Sequence, residues 1–481
     1  MHETAGAPPL MATDWDNKRC EHLALRSRML SGRWLPDLER ALNKHISPDR
    51  RAQWGLPEPS RNPFASVTKQ LGGVLYTQPP AISGNGADQK LLGPVADAGL
   101  WNLMQRFSTD LVGLRENVMR VDGSPAHPLQ YRRVAPWLSR AEASIEQPDV
   151  PTLLQEAQVR AHPDNGKPTW VWETLDVRDP DAPIHTIVSG DRKQDWTTHY
   201  LGGPRFGHAY QYRLTQGPDK GWPYIPAVLY HAERTGELWD SWYGVEAVLG
   251  SLTTGVLLTF WVHGVKDGSF ATVLLVGGTV AGLEIKGPGG QSRRQVISAE
   301  PGSLIEVAPM EEGVQPTAIQ LRPGFEPDKL MSAISMFEGG LAEYAGVSPA
   351  DLVRTGADPR SGISLTVSRE GLRAAQARFE PQLRRGDQQL LAVSARVINQ
   401  QAGTRFAENP GDYALSYPSL PLSAGELQSV RSDIREKVEM GLMSKVDAYI
   451  KLHPGTPREQ AIAELRRIQS ENAMFPGATI I

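Results

Sequence analysis

Apolar residues recur every seven positions at Leu365, Leu372, Phe379, Gly386 and Val393, and a second row follows at Leu383, Leu390 and Val397. Both rows fall on one side of a helix, so the spacing predicts a single long amphipathic helix over residues 362–402. From 363 to 400 such a helix is roughly 57 Å long at 1.5 Å per residue, more than a small domain covers, so it needs neighbours along its length. Pro381 removes one backbone donor and crowds the preceding turn, which predicts a kink just before it and near Gly386. The other face is charged, with Arg369, Arg373, Arg378, Arg384, Arg385 and Arg396 among Glu370, Glu380 and Asp387. Glu380 and Arg384 are one turn apart and should pair. The remaining arginines read as a solvated or intersubunit face, with sequence-blind phosphate contact as the alternative.

Upstream, residues 1–60 are a polar, Trp-dotted, mostly helical lead with turn signals at Gly55, Pro57 and Pro59. Phe64, Val67, Leu71 and Leu75 have helical spacing ended by Pro79 and Pro80, and a second packing helix is expected over 97–111. After Gly113 the period changes to two. NVMRVDG and PLQYRRV, joined by a Gly-Ser-Pro turn, predict a hairpin; further strands are expected at 157–160, 168–177, 184–188, 196–201, 209–214 and 225–230. Antiparallel sheet should therefore dominate 115–232.

Residues 241–265 are nearly all apolar, as long as the ~20 residues of a membrane span. Glu246, His263, the hydroxyls of Ser251, Thr253 and Thr254, and the lack of a flanking Lys/Arg cluster favour instead a helix buried on all sides, in its own fold or among copies of the chain. Short strands with Gly/Pro punctuation follow over 270–323, around a basic tip carrying Lys286, Arg293 and Arg294. A helix starting near Asp328 then aligns Leu330, Ile334, Phe337, Leu341 and Tyr344 on one side and stops at Gly346 and Pro349. The next loop is charge-balanced, with Asp351, Arg354, Thr355, Asp358 and Arg360, and has hinge glycines at Gly356 and Gly362. Capping boxes at Ser423 with Glu426 and at Thr456 with Glu459, and stops at Gly441 and Pro454, predict helices at 424–440, 445–452 and 457–472. Their outline also fits a helix-turn-helix, although the last helix is rich in acids and amides.

Composition narrows the function. A net charge of −4 and a pI near 6.3 argue against a sequence-reading DNA binder built on a positive patch. The single Cys20 allows no intramolecular disulfide or cysteine-rich zinc site and points to assembly in a reducing compartment. The chain holds no phosphate-cradling loop, nucleophile elbow, HExxH pair or acidic calcium loop. His199 with His208, or His162 with His185, read as hydrogen-bonded histidines rather than metal ligands, and the carboxylate pairs Asp14/Asp16 and Asp179/Asp181 read as solvated turns. No metal, cofactor or catalytic residue is expected.

The order of these parts resembles the portal proteins of tailed bacteriophages. The passage YAGVSPADLVRTGADPRSGISL is similar to the family's turn from stem helix into tunnel loop and long helix, with Gly-Val-Ser-Pro in place of Gly-Val-Pro. GLMSKVDAYIKLHPGTPREQAIAELRRIQSEN is similar to its C-terminal helices. The resemblance covers nearly the whole chain and implies an α+β subunit: a β-rich wing over 1–235, a first stem helix over 236–268, a small α/β clip over 269–326 and a second stem helix over 327–346. A tunnel loop over 347–361, a long kinked wing helix over 362–402 and a helical crown over 403–481 complete it. It further implies a non-enzymatic ring, commonly of twelve copies, at one capsid vertex of the virion, assembled in the host cytoplasm without membrane. Expected partners are double-stranded DNA, the terminase large subunit, the head-to-tail adaptor, the major capsid protein and any scaffolding protein. In that frame the loop residues Asp351 to Arg360 face DNA and the tip at Lys286, Arg293 and Arg294 docks a partner. Trp242, Val245, Leu249, Leu252, Leu257, Phe260, Trp261, Leu330, Ile334, Phe337 and Leu341 form the intersubunit stem. A membrane-anchored protein using 241–265 and a hydrolase in the β-rich part are the alternatives.

Overall fold

The polar lead folds into α1 (Asp14–Leu30), α2 (Leu35–Leu42) and α3 (Pro48–Trp54) in a computed structural model. It describes residues 9, 11, 13–124, 127–201, 212–234, 239, 244–269, 272–276, 278–280, 307–309, 317–321, 326–349, 362–418, 424–453 and 458–474. These fall into two compact units, one within Met1–Arg354 and Ala374–Pro418, the other within Thr355–Arg373 and Ser419–Ile481. Helix starts follow local chemistry: the side chains of Thr13, Ser47, Asn62 and Asp88 each accept a first-turn N–H, which opens α1, α3, α4 (Pro63–Gly73) and α5 (Gln89–Asp97). Helix α4 ends before Pro79, and Leu75 is buried just beyond its end. It lies against α6 (Leu100–Leu114), where the absent side chain of Gly72 admits the backbone of Thr109. A Cβ there would sit 2.4 Å from the Thr109 Cα. Gly72→Ala is therefore expected to destabilise the first unit by about 1–3 kcal/mol, because backbone rather than a movable side chain must give way. An unchanged denaturation midpoint would contradict this.

Among the described residues all sheet pairings are antiparallel. The ribbon β1 (Ala81–Ser83) stands apart from the main sheets. The predicted hairpin forms as β2 (Glu116–Asp122) and β3 (Gln130–Val134), while β4 (Ser139–Ala143), β5 (Pro151–Ala161), β6 (Pro168–Asp176) and β7 (Ile184–Ser189) make a second sheet. Residues 196–201, expected as a strand, include instead the short helix α7 (Thr197–Leu201), because the Asp195 carboxylate accepts the Thr197 N–H at 2.8 Å and opens a turn. Strand β8 (Ala227–His231) returns to pair with β2, giving the order β3-β2-β8. Val118, Val134 and Leu229 from this sheet and Ala141, Leu154 and Leu175 from the other share one core. The opposite face of the larger sheet, at Ala157, Trp170 and Trp172, packs on Cys20 of α1.

Buried charge fixes α1 in place. Arg19 is fully buried; its guanidinium pairs with the equally buried Glu116, donates to the Ser139 carbonyl and lies 4.6 Å from the Trp239 ring centroid. Asp16, expected in a solvated turn, is buried too, held by the Thr13 hydroxyl at 2.6 Å and by Arg140 at 3.6 Å. Asp179 does sit in a turn, accepting the Asp181 N–H at 3.0 Å.

The apolar helix α8 (Val245–Ser269) leads into β9 (Thr272–Val276) and β10 (Gly278–Val280), which pair with β12 (Thr317–Leu321) and β11 (Val307–Pro309) respectively. Helix α9 (Pro327–Tyr344) closes this module and stops where Gly346 takes φ 74°. The long α10 (Gly362–Ala402) runs as continuous helix through Pro381. Strand β13 (Ala414–Ser416) then pairs with β1. In the second unit α11 (Ala424–Glu439), α12 (Lys445–Leu452) and α13 (Arg458–Met474) lie within two residues of their predicted bounds. Ser444 opens α12 by accepting the Asp447 N–H, and Gly441 (φ 74°) ends the preceding turn. The fold is α+β.

Candidate functional site

Helices α8 and α9 run antiparallel, since Gly250 meets Leu341, Glu246 accepts from Tyr344 Oη at 3.4 Å, and Trp261 Nε1 donates to the Pro327 carbonyl at 3.0 Å. Missing side chains allow this closeness. A Cβ on Gly250 would fall 2.7 Å from Leu341, and one on Gly255 would fall 2.7 Å from Leu38 of α2. Two hydroxyls in the apolar run tie α8 to the segment around α4: Ser251 Oγ accepts the Phe64 N–H at 2.8 Å, and Thr259 Oγ1 accepts the Glu58 N–H at 3.0 Å. His263 stacks on Trp54 with centroids 4.3 Å apart.

Within its own fold the helix is only partly buried, with 44% of its most apolar window covered. Among the described residues one side packs on α2 and α4 and a second on α9, while Glu246, Leu249, Thr253 and Lys266 are exposed. Among the expected intersubunit residues, Leu249 is 54% exposed and Phe337 39% exposed. Val245, Leu252, Leu257, Phe260, Trp261, Leu330 and Leu341 are partly covered. Ile334 is fully buried inside the subunit and offers a neighbour no surface; it shares a side of α9 with Ala342 and the buried Glu338, whose carboxylate accepts from Arg61 at 3.0 Å. Burial raises the Glu338 pKa against the opposing Arg61 charge. Tyr344 at 60% and Met336 at 79% exposure belong to the open surface; Tyr344 continues the predicted stripe, whereas Met336 lies off it and carried no periodic signal. Trp242 lies outside the described residues, as do the loop residues Asp351, Arg354, Thr355, Gly356, Asp358 and Arg360 and the tip residues Lys286, Arg293 and Arg294.

The charged face of α10 is largely consumed within the subunit. Arg378 pairs with Glu233, Arg385 with Asp149, and Arg384 with Glu380 as predicted. Arg396 is mostly enclosed, 5.3 Å from the Tyr224 ring centroid and 3.0 Å from the Glu408 carbonyl. In the second unit Arg373 lies 3.7 Å from Glu370; the Arg369 side chain lies outside the description. Asp387 is not on a solvated face. It is buried and accepts hydrogen bonds from the phenols of Tyr76, Tyr230 and Tyr417, the Tyr230 bond at 2.9 Å. Burial raises its pKa to about 6, against the pull of those three donors. Gly386 makes this approach possible, since a Cβ there would lie 2.4 Å from the Tyr230 ring.

His185 bonds Glu173 at 3.0 Å, His162 meets the Trp196 ring edge, and His208 lies outside the described residues. Glu173 sits among Arg120, Arg160 and His185, which hold its carboxyl well below the usual range against the effect of burial. Among the described residues no group of three His, Cys, Asp or Glu side chains could hold a metal ion. Cys20 is buried, which pushes its thiol up to about 11. The site that this geometry offers is a surface: the outer stripe of the α8/α9 pair. No family model matches the chain, and no curated protein matches its sequence.

Proposed function

We propose that the chain is a portal subunit of a tailed bacteriophage, a ring-forming conduit that passes double-stranded DNA through one capsid vertex during packaging and ejection. The observation that carries the reading is the antiparallel α8/α9 pair, which brackets a small β module and leaves an apolar outer stripe at Leu249, Phe337 and Tyr344. A surface of this kind is suited to burial against an identical subunit, and a closed ring of such contacts leaves none of it exposed. The second unit supports the same reading: among its described residues Ile434, Ala448 and Ala461 are buried, while Met440 and Leu442 are 61% and 76% exposed. Three helices with so small a core gain most from neighbours.

In this reading residues 1–235 are the wing, α8 and α9 the stems, β9–β12 the clip, α10 the long wing helix, and 403–481 the crown. The loop 347–361 faces DNA, and the 286–294 tip docks the terminase large subunit and later the head-to-tail adaptor. The major capsid protein and any scaffolding protein surround the ring in the virion. A net charge of −4 suits a conduit, because a strongly basic channel would hold DNA at each phosphate.

One observation favours a second reading: α8 from Val245 to Lys266 is long and apolar enough to cross a membrane. The two are separated by fractionating cells that express the chain. A portal subunit is recovered as a large soluble oligomer without detergent; recovery in the membrane fraction alone would overturn the portal reading.

A further inference from the structure

A cavity of about 320 Å³ opens where the end of α1 meets α4, α6 and β3. Four cations line it, Arg33, Lys69, Arg106 and Arg133, against one carboxylate, Asp110. Asp110 pairs with Arg133 and is 3.9 Å from Arg106, whereas Arg33 and Lys69 form no ion pair among the described residues. In a chain with net charge −4 this is a concentrated positive site. Three of its cations are held on packed elements, Arg33 lying in the exposed turn after α1: Lys69 and Arg106 are each one turn before the Gly72–Thr109 crossing, where α4 and α6 touch through backbone. Arg133 extends from β3 over the Trp137 ring at 5.9 Å. Burial and the nearby charge of Arg106 push the Arg133 pKa down, a repulsion that a bound anion would relieve.

We propose that this cavity binds a small phosphate-bearing anion, either free phosphate or a phosphate monoester. Two unpaired cations with the exposed Arg106 supply charge-assisted donors from α4, α6 and the turn after α1, and partial enclosure suits a compact dianion better than a duplex backbone lying across an open face. The inference does not depend on the ring or on DNA transport.

Isothermal titration of the full-length protein with inorganic phosphate, and separately with adenosine monophosphate, at ionic strength matched with sodium chloride, tests it. Saturable binding is expected to one or both, the tighter identifying the source. The double variant Lys69→Glu, Arg106→Glu should weaken it at least about tenfold, since each charge-assisted bond is strong enough to account for that factor. Both side chains are exposed, Arg106 at 78%, so the fold should survive, as circular dichroism will show. Heat that matches the sodium chloride control, equal affinity in the variant, or binding of a short DNA duplex in place of both small anions would overturn the proposal.

Discussion

Placing aspartate at both Leu249 and Phe337 is expected to turn the assembled protein into single folded subunits. Both side chains face solvent in the isolated subunit, at 54% and 39% exposure, so the double substitution removes little from its core. Surface changes of this kind usually stay within about 0.5 kcal/mol of the parent. In a ring the same positions are enclosed by a neighbour, where an unpaired carboxylate loses its hydration at a cost of several kcal/mol. That cost recurs at every interface, so partial rings gain no advantage over complete ones. Sedimentation velocity should show the wild-type protein as a large single species and the variant as a 52.7-kDa subunit with unchanged circular dichroism. If the variant sediments with the wild type, the outer stripe is not the interface.

Asp387→Ala should be the most damaging single truncation on the long helix. It removes the acceptor shared by Tyr76, Tyr230 and Tyr417 and leaves phenol hydroxyls in a buried site. At 1–3 kcal/mol for each stranded donor, some of which find new partners, the loss is roughly 3–5 kcal/mol. Asp387→Asn keeps an acceptor of the same shape and should cost much less. The two variants also differ from wild type in pH dependence. Because the folded-state pKa is raised to about 6 from the ordinary 3.8, the folded protein keeps its proton where the unfolded chain has released it. Stability from this group is therefore greatest below the unfolded pKa and falls by about 3 kcal/mol as pH rises from about 4 to 6. Subtracting the Asp387→Asn stability curve from that of wild type isolates the slope. A difference that is flat across this range would show that Asp387 is ionised throughout.

Local signals carried far in this chain. The helices at 424–439, 445–452 and 458–474 were legible to within two residues from local start and stop signals such as Gly441, although the expected caps Ser423 and Thr456 lie outside the described residues. The β2–β3 hairpin, the end of β5, and strands β6 and β7 followed from period-two alternation and turn residues, whereas β4 and the first half of β5 were not foreseen. Alternation failed at Thr197–Leu201, where a single carboxylate at Asp195 decided for helix.

Long-range chemistry was not legible. Arg19 and Glu116 are 97 residues apart, and Tyr76 and Asp387 are 311 apart. No local pattern says that a charged residue on a polar stretch of helix will be buried against a partner at that distance. For the same reason the arginines of α10 read as a free face, although Glu233, Asp149 and Glu408 occupy three of them. On the α8/α9 surface the stripe itself was visible in the periodicity. Its division into an inner edge at Ile334 and an outer edge at Phe337 and Tyr344 depends on the crossing with α8, which only the packed structure supplies.

Electron microscopy of the purified full-length protein, without detergent, tests the central claim most directly. The account predicts closed rings with a central opening wide enough for duplex DNA, lost in the Leu249→Asp, Phe337→Asp double variant. A population of single folded subunits from the wild-type protein would contradict it.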